Sequence, residues 1–204
     1  MLVSNEEQVI RSGDAPDDDI AANTRSHFTE ADQVCALLGQ IEEAKSVAEC
    51  RPLCEEVMGV LVQYQEQPGL LDPYLARMLA PLVRVLARWV QAAGDINDRE
   101  PTIHLVCGLI YVMCMVRGFK ATVRHLPHEA ADLEPALEAL EQQDDSSTTW
   151  PTRYVLLLWM SMVLLTPFNL QSIDSSSTEV PLLERILRAG QRFLVGTARL
   201  REAA

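Results

Sequence analysis

TWPTRYVLLLWMSMVLLTPFNLQSID, residues 149–174, is the stretch on which the fold turns. Its twelve residues from Tyr154 to Leu165 carry no charge. A helix that crosses a bilayer needs about 20 consecutive apolar residues, so this run is too short to span one. An ordinary surface helix keeps a polar face, and this run has almost none. Pro151 and Pro167 bound it at about four helical turns. These features predict a helix buried on most sides inside a stack of other helices.

Working outward, Pro101 opens a second run of the same kind, IHLVCGLIYVMCMV (Ile103–Val116), which Gly118 ends or bends. A short helix from Phe119 to Leu126 follows, up to Pro127. Residues 129–143 form an acidic amphipathic helix that Pro135 is expected to divide. Downstream, the last helix starts at Pro181 and carries Leu182, Leu183, Ile186, Leu187, Phe193 and Leu194 at helical spacing. Upstream, Thr29 is the expected cap of a helix through Val34, Leu37, Leu38 and Ile41, with Asp32 in the capping-box position. Pro52 opens the next helix, which Pro68 and Gly69 stop. Asp72-Pro73 reads as an N-cap followed by Pro at the first helical position. The helix it starts reaches Ala93 and Gly94, with a kink expected near Met78 from Pro81.

Alternation of apolar and polar residues is nearly absent, so no strands are expected. The fold class is all-α, with seven to eight helices in pairs of about 35–45 residues. That period fits a HEAT/armadillo-like α-solenoid over residues 29–204, and a globular bundle is the alternative. Residues 1–28 are acidic, hold Gly and Pro and lack an apolar period, so a disordered acidic leader is expected there. The terminal TARLREAA has no helix-stop signal and no polar cap, which predicts the N-terminal part of a longer array.

The net charge of −12 and pI near 4.7 argue against a nucleic-acid partner, which needs a clustered positive field. Five cysteines, an odd number, with no secretory leader suggest buried free thiols in a reducing compartment. Cys50 and Cys54 lie i,i+4 with no second ligand pair, so zinc is not indicated. His104 sits in an apolar helix and reads as a core histidine. HLPHE (residues 125–129) lacks zinc-site spacing and reads as a turn capping the helix at Ala130. No phosphate-binding glycine loop, nucleophile elbow or kinase motif occurs, so no enzyme is indicated.

The bases fall in stripes: Arg77, Arg84 and Arg88; Arg117, Lys120 and Arg124; Arg185, Arg188, Arg192 and Arg199. They have two readings. One is solvated faces that pair with acidic neighbours, each pair worth about 0–1 kcal/mol. The other is a surface that holds an acidic protein, carried by Arg117, Lys120, Arg124, Arg185, Arg188 and Arg192. Arg153, at the start of the buried helix, opposes the helix dipole and is expected to pair with Glu129 or Asp132.

YQEQPGLLDPYL (Tyr64–Leu75), VRGFK (Val116–Lys120), LPHEAADLEP (Leu126–Pro135) and TRYVLLLWMS…TPFNLQSID (Thr152–Asp174) resemble, in this order, the N-terminal region of the tubulin-folding cofactor D family, also called tubulin-specific chaperone D. The resemblance covers Val57 to Ala204. It implies a HEAT/armadillo solenoid with no cofactor and no ATP chemistry, cytoplasmic and cytoskeleton-associated. It further implies a chaperone that binds β-tubulin and joins it to α-tubulin with cofactors C and E. An Arf-like small GTPase is an implied partner, and stimulation of GTP hydrolysis by tubulin an implied activity of the assembly.

Overall fold

The computed structural model describes residues 25–92, 102–144, 148–175, 180–195 and 198–203. The expected leader lies outside this set up to residue 24. Residues 25–28 belong to the fold: Phe28 is buried, edge-on to Tyr64 at 4.8 Å, and Arg25 lies 4.6 Å over the Tyr64 ring.

α1 (Ala31–Glu43) buries Ala31, Val34, Leu37, Leu38 and Ile41. Its cap differs from expectation: Glu30 holds the N-cap position, no side chain caps the helix, and Thr29 Oγ1 donates to Glu30 instead (2.8 Å). α2 (Val47–Val62) starts five residues before Pro52. Ser46 Oγ accepts from the Glu49 amide at 3.2 Å, so a polar cap rather than the proline sets the start. Pro68–Tyr74 form a 3-10 turn that contains Asp72 and Pro73, and α3 (Leu75–Gln91) begins only after it. α3 runs unbroken through Pro81; Ala93 and Gly94 lie outside the described residues.

α4 (Ile103–Arg117) ends at Gly118, whose φ of 99° no β-carbon-bearing residue adopts readily. The chain turns by 120° there into α5 (Phe119–Thr122) and a 3-10 turn at Val123–His125. The acidic segment is not divided at Pro135. It opens as a 3-10 turn at Ala130–Asp132 and becomes α6 (Leu133–Glu141), with Pro135 in its first turn, where the missing amide costs least. α7 (Trp150–Leu164) starts beside Pro151 and buries every residue from Thr152 to Met160. Trp159 is fully enclosed and donates from Nε1 to the Pro127 carbonyl at 2.8 Å. α8 (Leu182–Leu194) and α9 (Ala198–Ala203) complete the chain.

The helices stack in two layers. α1, α3, α6 and α8 form one layer; α2, α4, α7 and α9 form the other. Each helix packs on its partner across the layers and on its neighbours within its own layer. This is an all-α solenoid of helical pairs, as expected, rather than a globular bundle. First-layer helices begin at 31, 75, 133 and 182: the first step falls within the expected 35–45 residues and the next two are longer. The long step from α3 to α6 holds α5 and its flanking turns.

Layer position explains the hydropathy. α4 and α7 each touch second-layer helices on both flanks and a first-layer helix beneath. Little of their circumference is left for water, so they are apolar nearly all round. No single described helix is long and apolar enough to cross a membrane. The connectors from second to first layer leave the C-terminal ends of α2, α4 and α7 (residues 63–74, 118–132 and, within the described set, 165–175 and 180–181) and together make up the connector rim.

A β-carbon added at Gly118 would meet nothing within 4 Å, so only backbone strain opposes one. Gly118→Ala should therefore destabilise by about 1–3 kcal/mol in urea denaturation. An unchanged midpoint would show that the 120° turn does not need this conformation.

Candidate partner-binding surface

Among the described residues no group of His, Cys, Asp and Glu is placed to hold a metal ion. His104 is half-buried between α4 and α7, its Nδ1 2.8 Å from Thr152 Oγ1, and burial lowers its pKa. Beside it Tyr111 stands edge-on to Trp150 at 4.5 Å and to Tyr154 at 5.1 Å. His104 is thus a satisfied packing residue, as read from sequence. The five cysteines are free thiols. Cys50 and Cys54 lie 3.6 Å apart, both buried, and burial pushes Cys107 and Cys114 up to about 12. At such values the nucleophilic thiolate is scarce.

HLPHE makes no cap. Glu129 occupies the N-cap position of the Ala130 turn without a side-chain bond to it, and His125 and His128 are exposed. Arg153 is buried, and its Nη1 donates to the main-chain carbonyl of Asp144. Of the two acids expected beside it, Asp132 accepts from Gln91 Nε2 at 3.1 Å and Glu129 is exposed.

The stripes divide. On α3, Arg77 pairs with Asp32, Arg84 grips Glu42 through two bonds of 2.8 and 2.6 Å, and Arg88 reaches Glu42 at 3.8 Å. Arg117 binds Asp72 in a two-pronged pair, with Nη2 at 2.7 Å from Oδ2, and so ties the end of α4 to the turn before α3. Arg185 is buried and spans to α6, 2.7 Å from Glu141 and 3.4 Å from Glu134. Arg188 pairs with Glu184 one turn back at 2.5 Å. Arg192 lies beside the Phe193 ring at 5.3 Å, and with Arg185 and Arg188 it lines a cleft of about 150 Å³ against Leu140 and Glu141. The Arg199 side chain lies outside the described set.

Lys120 and Arg124 differ from these. Both are exposed on the connector after α4, and neither forms an ion pair with a described residue. From Gly118 to His128 the connector contains no acid, while Lys120, Arg124, His125 and His128 all face water. Met115, 58% exposed on the last turn of α4, stands close before them in the chain. Val62 and Leu165, at the ends of α2 and α7, are also exposed on this rim. Of the six residues read as partner-binding, the structure therefore engages Arg117, Arg185 and Arg188 inside the chain. It leaves Lys120 and Arg124 open. The apolar rim residues escaped the sequence reading because each lies within or beside a continuous apolar run, where periodicity gives no facing.

The arrangement defines a class: a helical-repeat scaffold whose helix faces are stitched to one another by ion pairs and whose connector after α4 leaves its cations exposed. A family model described as tubulin-specific chaperone D-like, ARM repeat, matches residues 61–204, and the chain belongs to that family. The tubulin-folding cofactor D of Schizosaccharomyces pombe is 32% identical over 126 residues, covering 60% of this chain and 10% of that protein. The tubulin-specific chaperone D of Dictyostelium discoideum is 22% identical over 197 residues, covering 60% of this chain and 13% of that protein. The chain thus spans a small part of the length of the curated relatives it matches. No solved structure matches it.

Two measurements test the pairing. Arg185→Ala strands Glu134 in a half-closed site and should cost about 2–4 kcal/mol in urea denaturation, whereas the exposed Arg188→Ala should cost about 0.5 kcal/mol or less. Equal costs would contradict the assignment of Arg185 to the core. The second is pH. The Tyr64 hydroxyl lowers the Glu30 pKa, the Arg84 guanidinium that of Glu42, and the Arg117 guanidinium that of Asp72. The unfolded chain binds protons at these groups more readily than the folded one. Stability from them is complete above about pH 5 and is lost as pH falls through the lowered folded values. Arg84→Met and Arg117→Met should each flatten this acid limb in a thermal-melt series against pH.

Proposed function

We propose that this chain is a non-enzymatic docking segment of a tubulin-folding cofactor. It binds β-tubulin and assists assembly of the α/β-tubulin heterodimer together with cofactors C and E and an Arf-like small GTPase. Its contribution to GTPase activation is positional: it holds partners in place and supplies no reacting group. The setting is cytoplasmic and cytoskeleton-associated. The family match over residues 61–204 carries this reading.

Recognition rests on the rim. A chain of net charge −12 gains nothing from long-range steering toward an acidic partner, so local cations have to do the selecting. Lys120 and Arg124 are free to do so, and Arg117 supports them by fixing the end of α4 through Asp72. Met115 offers an apolar anchor beside them. Arg185, Arg188 and Arg192 are the second candidate patch, around the cleft between α6 and α8.

A second reading has one observation in its favour. The exposed face of α1 is polar, with Asp32, Gln33, Gln40 and Glu43, which suits the capping repeat of a solenoid that has no tubulin binding of its own.

Retention of the purified 204-residue chain on immobilised β-tubulin, and separately on the GTPase, separates the two. Lys120→Glu with Arg124→Glu should weaken retention about tenfold or more, with an unchanged melting temperature because neither side chain is engaged in the fold. Wild-type binding to neither partner supports the capping role. Binding that survives the double reversal moves the interface to the α6–α8 patch.

A further inference from the structure

Arg25 is anchored on the connector that leaves α2. Its amide donates to Gln67 Oε1 at 3.1 Å, its Nη2 donates to Gln63 Oε1 at 2.7 Å, and its guanidinium lies over the Tyr64 ring. Phe28, three residues on, stands edge-on to Tyr74 at 5.7 Å. Tyr74 closes the turn Pro68–Tyr74, and Asp72 of that turn is gripped by Arg117, the last residue of α4. Two contacts therefore lead from Arg25–Phe28 to the acid-free connector that carries Lys120 and Arg124. Upstream of Arg25 the sequence has the opposite sign: residues 12–24 hold Asp14, Asp17, Asp18 and Asp19 and no base.

We propose that the acidic segment Asp14–Asp19 docks on the connector after α4 of the same chain, with its carboxylates on Lys120 and Arg124. Reach permits it. Asp19 stands six residues ahead of Arg25, about 20 Å of extended chain, and Asp14 stands eleven ahead, about 36 Å. α4 packs directly on α2, and packed helices lie only about 8–10 Å apart. Charge selects this place over the alternatives. Glu66, exposed in the cleft beside Arg25, repels the aspartates there, and Asp72 is neutralised by Arg117. The arginines of α3 are already held by acids of α1. From Gly118 to His128 the connector offers Lys120, Arg124, His125 and His128 with no competing carboxylate. Ile20, next to the aspartates, has an apolar counterpart in the exposed Met115. Anchoring at Arg25 supplies the first contact, so the second works at an effective concentration on the order of millimolar, where weak surface pairs suffice. One consequence rests on the partner-binding reading above: the segment competes with an acidic partner for the same two cations.

Lysine chemistry reads the contact without any partner, because Lys45 and Lys120 are the two lysines of the chain. Lys45 is exposed just ahead of α2, at the opposite end of that helix from Gln63, and serves as the internal reference. Carbodiimide treatment of the dilute 204-residue chain should join the Lys120 amine to a carboxylate between Asp14 and Asp19, located by peptide mass mapping, with a yield independent of protein concentration. Acylation of Lys120 relative to Lys45 should be slowed about threefold or more, since a carboxylate alongside covers the ammonium and favours its unreactive charged form. The protection should vanish when Asp14→Asn, Asp17→Asn, Asp18→Asn and Asp19→Asn are combined, and in about 1 M salt, where charge interactions reach only about 3 Å. Equal acylation of Lys120 in the wild-type chain and the combined variant overturns the proposal. So does a cross-link found only between two chains. Retention on immobilised β-tubulin is a separate arm, in which the combined variant should bind about threefold tighter or more. Unchanged retention with Lys120 unmasked overturns the competition and moves the tubulin contact off this connector, while the docking itself stands on the lysine result.

Discussion

A helix with no polar face cannot end a stack, and this constraint organises the molecule. α4 and α7 are apolar around nearly their whole circumference, so each needs a neighbour on both flanks and one beneath. A four-helix bundle gives each helix two close neighbours and an outer face. Only a two-layer array offers interior positions closed on three sides. The amphipathic helices α1, α3 and α8 then take the other layer, where one face meets water.

Charge does a different task from burial. The arginines of α3 reach acids on α1, and Arg185 of α8 reaches acids on α6, at sequence separations of 42 to 51 residues. Each separation is close to one repeat, so each of these pairs joins successive first-layer helices. Most are solvent-exposed and add little free energy. Their contribution is to register: a slip of one turn between repeats would break the bidentate Arg84–Glu42 pair and bring unlike faces together. The buried Arg185 is the exception, since loss of one partner there strands a charge.

Much of this was legible in the sequence and some was not, for physical reasons. Apolar runs bounded by Pro151, Pro167, Pro101 and Gly118 marked the buried helices, because an uncharged run of that length has no face to keep in water. Helix starts were less legible. Pro52 and the Asp72-Pro73 pair suggested starts, yet Ser46 and the turn at Pro68–Tyr74 took that role. Ser46 and Glu49 stand at capping-box spacing, a signal present in the sequence and outranked there by the proline. Arg153 and Arg185 are buried, which composition disfavours for arginine; only the fold brings the Asp144 carbonyl and Glu141 to them. The arginine stripes were visible, but not which of their members were occupied, because nearly every partner lies about one repeat away in sequence.

The occupied arginines bear on where partners bind. A side chain already held by a carboxylate has to break that bond before it can contact another molecule, and the exchange leaves little net gain. The arginine-bearing face of α3 is therefore a poor place for recognition despite its cations, all three of which are held by acids of α1. A connector is under no such demand. Gly118 swings the chain away from α4 into a segment with no acids of its own, while α4 and α7 hold its two ends rigidly. Trp159 fixes the far end by its bond to the Pro127 carbonyl, so Lys120 and Arg124 stand on a braced loop rather than a loose one. Braced loops on a stiff scaffold meet partners at a low entropic cost, and on the proposed reading this is the physical sense in which the buried helix at residues 150–164 would contribute to binding without touching anything outside the fold.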